Sequence, residues 1–323
     1  MSNVIETHSL GKIYGTEQAV RDLDWQVEQG TAVAFLGPNG AGKTTTIKML
    51  LGFTHPSRGS CEVFGAEPWN MPPETRMRIG YVPDEPCLPT FGTAGSILDY
   101  HRTLYPCWDR KLERELIELF QLSLKKQISK LSKGQARRVA IVLALCQGSE
   151  LLLLDEPTAG LDVAARRELL GLLTGWLADG DRSLVFSTHL VGDVERIATH
   201  ASFMQRGRLV ASDELEALKA DVKRIRMTRE IWDRTRPSWE QTELLSSEVD
   251  EHRAVLCVRE FRTQSSAVLA PYASAMVEST LTADSDMSSS AIDQAIDVVH
   301  LSLEDIYLEL TSNNARNVEP CRA

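Results

Sequence analysis

Short apolar runs alternate with helical patterns along the first two thirds of the chain. Thr31–Leu36 (TAVAFL) reads as a buried strand, and Thr44–Leu51 just beyond it as a helix. Leu151–Leu154 (LLLL) and Ser183–Ser187 (SLVFS) are two further strand-like runs. Between the first of these runs and Leu151, Lys111–Leu122 carries Leu112, Leu116, Leu119 and Phe120 at helical spacing. Ala201–Gln205, a turn at Arg206-Gly207 and Arg208–Ala211 read as strand, turn and strand. Buried runs separated by helices are the mark of βαβ units and a parallel sheet. After about Ala220 the pattern changes: residues 222–300 hold polar stretches, one β-like run at Ala254–Val258 and a Ser-rich segment at Ser285–Ser290. A domain boundary is expected near Ala220, dividing 1–220 from a smaller α+β region at 221–323. Ser302-Leu303-Glu304-Asp305 fits a capping box, and Leu303, Ile306, Tyr307 and Leu310 share one face of the helix it opens. That stripe needs cover, and a second copy of the chain is the cover favoured from sequence.

Composition narrows the classes. The 323 residues are 43% hydrophobic and 25% charged, which excludes a fibrous or disordered chain. A formal charge of −10, with no strong basic tract, argues against sequence-independent nucleic-acid binding. Val139–Cys146 and Gln264–Val277 are too short or too polar to span a bilayer, and the first residues lack a signal-peptide layout. The six cysteines are scattered without a CxxC pair, the usage of free thiols in a reducing cytosol.

The chemistry enters at Gly37-Pro38-Asn39-Gly40-Ala41-Gly42-Lys43-Thr44, a match to G-x-x-x-x-G-K-[ST] between a strand and a helix. Glycines let backbone N–H groups wrap phosphates, and the helix N-terminus adds its positive end. Lys43 is expected at the β- and γ-phosphates, Thr44 on Mg²⁺ and Thr45 on an α-phosphate oxygen. The Leu151–Leu154 run ends in Asp155 and Glu156. Asp155 is placed to hold the magnesium through its water shell, Glu156 to orient or deprotonate an attacking water.

With these motifs in hand, the chain resembles the ATP-binding subunit of ABC transporters over about residues 3–215. Leu131-Ser132-Lys133-Gly134-Gln135 resembles that family's signature, Ala159-Gly160-Leu161-Asp162 its D-loop, His189 its switch histidine and Tyr14 its adenine-stacking aromatic. The resemblance implies an α/β P-loop NTPase (RecA-like) core with an antiparallel β subdomain and a helical subdomain at about 86–150. It implies ATP and Mg²⁺ as cofactors, and a head-to-tail pair in which Ser132, Gly134 and Gln135 of one copy cap the ATP held by the other. It further implies export through a separate membrane permease, with the chain attached peripherally to the cytoplasmic face of the membrane. Tyr105–Asp109 resembles a segment of bacterial exporter ATPases, with an aromatic turn that packs the helical subdomain as the plain alternative. Leu301–Thr311 resembles the closing helix of exporter subunits.

Two positions depart from the family pattern. Asp84 stands where the family has its Q-loop glutamine, so its contact with the metal rests on a shorter carboxylate. Lys133 replaces a signature glycine and is either beside the triphosphate or solvated. Rival readings are a soluble ABC-type ATPase acting on ribosomes or DNA, and a module that binds ATP without turnover. The chain has one P-loop and one signature, and 87 residues separate Lys43 from Leu131, too few for a long inserted coiled coil. Glu156 and His189 speak for turnover.

Overall fold

The computed structural model describes residues 2–178, 181–239, 244–259, 261, 266–269, 276–279 and 296–311. It divides between Ser212 and Asp213 into two compact units. The Ser-rich segment at Ser285–Ser290 lies outside the described residues.

In the first unit, β1 (Asn3–Tyr14), β2 (Glu17–Glu28) and β4 (Arg58–Val63) form an antiparallel sheet in the order β2-β1-β4. Repeated register shifts interrupt the β1–β2 pairing, and Ser9 and Asp22 adopt positive φ there. Such bulges break strict alternation, which explains why these long strands leave little periodic signal. The second sheet holds β3 (Ala32–Leu36), β5 (Ile79–Val82), β6 (Leu151–Asp155), β7 (Ser183–Thr188), β8 (His200–Gln205) and β9 (Arg208–Glu214), ordered β5-β6-β7-β3-β8-β9. The pairs β5–β6, β6–β7, β7–β3 and β3–β8 are parallel. Every residue of β3, β6 and β7 is buried, as expected of strands covered on both faces. The two sheets meet where Trp25 stacks on Phe35 at 4.7 Å, with Trp25 Nε1 donating to Ser202 Oγ at 3.0 Å. The helix α1 (Lys43–Leu50) leaves the end of β3, so the phosphate-loop sequence lies at the carboxyl edge of the parallel sheet, the edge where such sheets bind ligands.

Helices α3 (Ala94–Leu104), α4 (Arg110–Leu119) and α5 (Lys133–Cys146) lie between β5 and β6 in the chain. Asp109 caps α4 by accepting from Lys111 and Leu112 N–H, each at 2.9 Å. Glu113, 3% exposed, accepts from Arg102 Nε at 2.8 Å and from Trp108 Nε1 at 2.7 Å. Trp108 therefore anchors the turn before α4, the packing role open to it from sequence.

In the second unit, β10 (Lys223–Thr228), β11 (Leu244–Val249), β12 (Arg253–Val258), β13 (Met276–Ser279) and β14 (Ile296–His300) form one sheet ordered β11-β12-β10-β14-β13. Only β12 stands out as a strand in the sequence. In β10 the apolar Ile225 and Met227 alternate with charged residues, and they face a core with Trp232, Trp239 and Leu256 only once the neighbouring strands are in place. Helix α11 (Leu303–Thr311) overturns one expectation. Its stripe is already buried within a single chain: Leu303 and Ile306 are 0% exposed and Leu310 7%. The helix is locked to its own sheet by Glu309, which accepts from Arg224 Nη2 at 3.0 Å and Ser246 Oγ at 2.7 Å. Ser302 Oγ accepts from Asp305 N–H at 3.1 Å, the expected cap. The stripe of Leu303, Ile306 and Leu310 is thus core within one chain.

Two outcomes follow from this packing. Ile306→Ala is expected to cost about 2–5 kcal/mol of second-unit stability, and the loss read by urea unfolding is the same at low and high protein concentration. Glu113 gives a pH-dependent case. Burial pushes its carboxyl up, but the hydrogen bonds from Arg102 and Trp108 outweigh burial and hold its pKa below the ordinary value. Its stabilising effect is therefore complete above the unfolded-chain value of about 4.3 and is lost as pH falls through the depressed folded value. Thermal melts of Glu113→Gln are expected to lie below wild type at pH 7, by the equivalent of about 1–3 kcal/mol. The gap closes as the pH falls through that depressed folded value.

Candidate active site

Elements from four parts of the first unit converge at the ends of β3, β6 and β7. The loop after β3 carries Gly37, Pro38, Asn39, Gly40, Ala41 and Gly42. A Cβ on Gly37 would lie 2.4 Å from the Met204 carbonyl oxygen, so no side chain fits there. Gly42, at the N-cap of α1, has φ 109°, a left-handed conformation that glycine alone adopts readily. Pro38, Asn39 and Gly40 are exposed and Thr45 is half-buried. Lys43 is 6% exposed, and its Nζ donates to the carbonyl of Gly37 at 2.5 Å and of Pro38 at 3.3 Å. Burial lowers its pKa, and the charges of Glu156 and Asp155 oppose that shift.

At the end of β6, Asp155 is 1% exposed and both its oxygens accept hydroxyl protons. Thr44 Oγ1 donates to Oδ2 at 2.7 Å, and Ser187 Oγ donates to Oδ1 at 2.5 Å. Glu156 follows with φ 49°, a backbone conformation costly for a residue with a side chain and typical of functional sites. Its Oε2 lies 3.0 Å from His189 Nδ1, and its Oε1 lies 3.9 Å from Lys43 Nζ. That Oε1 is buried and has no hydrogen-bond partner among the described residues. His189 stays half-exposed at the rim. Thr44 and Asp155 offer hard oxygen donors side by side, which suits Mg²⁺, an ion usually held by one or two protein oxygens and by substrate phosphates. Among the described residues no cluster of three or more His, Cys, Asp or Glu gathers as a metal centre, in keeping with that mode of binding.

The remaining candidates stand apart from this cluster. Tyr14 lies at the end of β1 with its ring open, 5.0 Å from Lys12 Nζ. Ser132 and Gln135 form a reciprocal capping box at the start of α5, each bond 3.2 Å long, and Gly134 has no heavy atom within 4 Å of where a Cβ would lie. Asp162 caps α6 (Val163–Leu177) by accepting from Ala165 N–H at 2.8 Å. Lys133 pairs with Glu85 at 3.0 Å, and both side chains are largely exposed. Asp84 has an unforeseen partner: Arg137 of α5 donates to its carboxylate at 2.8 Å and also to its backbone carbonyl. The same guanidinium donates to the carbonyl of Ala159. One buried side chain so joins α5 to the loops around Asp84 and Ala159. In the sequence Arg137 is one member of a locally basic stretch (Lys125, Lys126, Lys130, Lys133, Arg137 and Arg138), most of which reads as a solvated helix face. Tyr81, near both acids, has its hydroxyl pKa pushed up to about 12, by burial first and then by the charges of Asp155 and Asp84.

A parallel sheet with this loop at its carboxyl edge and two buried acids opposite defines a P-loop nucleotide-binding protein. Comparison with known proteins refines the class. The ABC transporter family model matches residues 20–159. The bacitracin transport ATP-binding protein BcrA of Bacillus licheniformis is 34% identical over 221 residues, 68% of this chain and 72% of that protein. A Nod factor export ATP-binding protein I of Cupriavidus metallidurans is 34% identical over 216 residues, 65% of this chain and 71% of its own length. The solved structure of an ATP-binding subunit of an ABC transporter is 30% identical with a TM-score of 0.62, covering 67% of this chain and 92% of that one. A dimeric ATP-binding cassette in a post-hydrolysis state with ADP and phosphate shares the fold, with a TM-score of 0.58 at 20% identity over 65% of this chain and 98% of that one. The chain belongs to the family of ABC transporter ATP-binding subunits.

Arg137→Met is expected to leave the carbonyls of Asp84 and Ala159 and the Asp84 carboxylate without their donor. Its cost is about 1–3 kcal/mol, the range for leaving acceptors without a donor, because the Asp84 carboxylate itself stays half-exposed. Asp84→Asn keeps the backbone contact and costs about 1 kcal/mol. Urea unfolding of the two variants checks the difference.

Proposed function

We propose that this chain binds MgATP at the loop Gly37–Thr44 and hydrolyses it with Glu156 as the base. The observation that carries the reading is the state of the Glu156 carboxylate. One oxygen rests on His189, and the other is buried, 3.9 Å from Lys43 Nζ, with no hydrogen-bond partner among the described residues. An acceptor held in that position is suited to take a proton from a water attacking the γ-phosphate. Lys43, Thr45 and the loop amides bind the phosphates, and Tyr14 offers an open ring to the adenine. Thr44 and Asp155 hold the magnesium, and bound magnesium would neutralise charge on the β- and γ-phosphates. His189 orients Glu156 and, from its exposed position, the γ-phosphate. Asp84, whose Oδ1 pairs with Arg137, would offer its carboxylate to the magnesium as a further oxygen ligand.

The signature residues Ser132, Gly134 and Gln135, with Asp162, serve the site of a second copy in a head-to-tail pair. Support comes from the exposed α5 N-terminus and from the dimeric cassettes that share this fold. The pair acts beneath a separate permease, and export is the direction favoured by the relatives named for bacitracin transport and Nod factor export. No helix among the described residues is long and apolar enough to cross a membrane, which agrees with peripheral attachment to the permease at the cytoplasmic face.

Glu156→Gln tests the base. ATP turnover is expected to fall by about 10²-fold or more while ATP binding survives, and an ATP-bound dimer accumulates on gel filtration. Near-normal turnover in this variant removes Glu156 from the proposed role.

A further inference from the structure

Ser187, a residue to which the sequence motifs give no role, touches both catalytic acids. It is 0% exposed and stands beside Asp155 in the parallel β6–β7 register. Its hydroxyl donates to Asp155 Oδ1 at 2.5 Å. The same oxygen accepts from the Glu156 backbone N–H at 3.1 Å, and the Ser187 carbonyl accepts from that N–H at 3.1 Å as well. A hydroxyl has one proton to give. With the Glu156 N–H against its lone pair, that proton goes to Asp155.

From this geometry we infer that Ser187 is a positioning residue for magnesium binding and for the base. The inference rests on the proposed ATPase reading. Asp155 is buried, and an ionised carboxylate removed from water must have its oxygens satisfied. Thr44 satisfies Oδ2, but Thr44 is itself a ligand expected on the metal. Ser187 is the donor on the other side, committed to orientation alone. It fixes the rotation of a carboxylate whose terminal torsion is otherwise broad, and so sets which oxygen faces the metal side. By receiving the Glu156 amide at the point where the backbone takes φ 49°, it also holds the base in its strained turn. One buried side chain thus aligns the metal-holding acid and the water-activating acid with each other.

The test compares the full-length chain with Ser187→Ala and Ser187→Thr. The affinity of AMP-PNP is measured by titration calorimetry with and without Mg²⁺, alongside kcat, KM and the melting temperature. In Ser187→Ala the affinity without Mg²⁺ is expected to be unchanged. The gain in affinity on adding Mg²⁺ shrinks by about 10-fold, and kcat falls by about 10–100-fold, the range for loss of a group that orients a metal ligand. KM for MgATP rises in step with the lost affinity, by up to about 10-fold. Ser187→Thr, which keeps the hydroxyl, retains most of the Mg²⁺ gain. If Ser187→Ala melts below the assay temperature, Ser187→Cys, close in volume but a weak donor, is expected to show the same loss. A full Mg²⁺ gain and full kcat in the alanine or cysteine variant overturns the inference. So does a fall in melting temperature alone. A wild-type chain that neither hydrolyses ATP nor gains affinity from Mg²⁺ would instead count against the ATPase reading itself.

Discussion

Three ionisable groups, Lys43, Asp155 and Glu156, are buried together at the edge of a sheet whose central strands β3 and β6 are apolar up to that edge. Taking any one of them out of water alone would cost several kcal/mol. They are tolerated because each finds fixed partners: loop carbonyls for Lys43, two hydroxyls for Asp155, and His189 with the nearby Lys43 charge for Glu156. Those partners come from β3, β6, β7 and α1, so the charge cluster forms only when the parallel register is correct. The apolar strands supply the energy that holds the cluster, and the cluster in turn is left with one unsatisfied oxygen. That oxygen, Glu156 Oε1, is buried with no hydrogen-bond partner among the described residues.

The same reasoning connects the site to its surroundings. Arg137 is buried against backbone carbonyls on either side and against Asp84. Such a group transmits displacement well, because moving one loop strands a charge unless the other loops follow. Movement of the loop at Asp84 is thereby tied to α5 and to the turn at Ala159. The second unit follows a separate logic. It has its own core around Ile225, Trp239 and Val298, and its last helix is held by the Arg224–Glu309 pair over an apolar stripe that is already covered.

Sequence alone determined the parts whose chemistry is local. The phosphate loop is read from consecutive residues because one turn of backbone wraps one phosphate chain. The pair Asp155–Glu156 is legible because a short leucine run bounded by polar residues and paired with a phosphate loop reads as a buried strand with its acids at the end. Capping residues such as Ser302 are likewise legible, since a cap and its helix are neighbours in the chain. The strands β1 and β2 were hidden by bulges, and β10 by charged residues that alternate with its two core-facing ones. Tertiary structure alone decided what depends on side chains distant in sequence. Ser187 reads as one more residue of an apolar strand until β7 lies beside β6, and Arg137 reads as part of a solvated face until two loops close over it. The stripe on α11 shows the same limit from the other direction. Periodicity declares that an apolar face must be buried, but the free energy of burial has no direction, so only the packed chain decides what covers it.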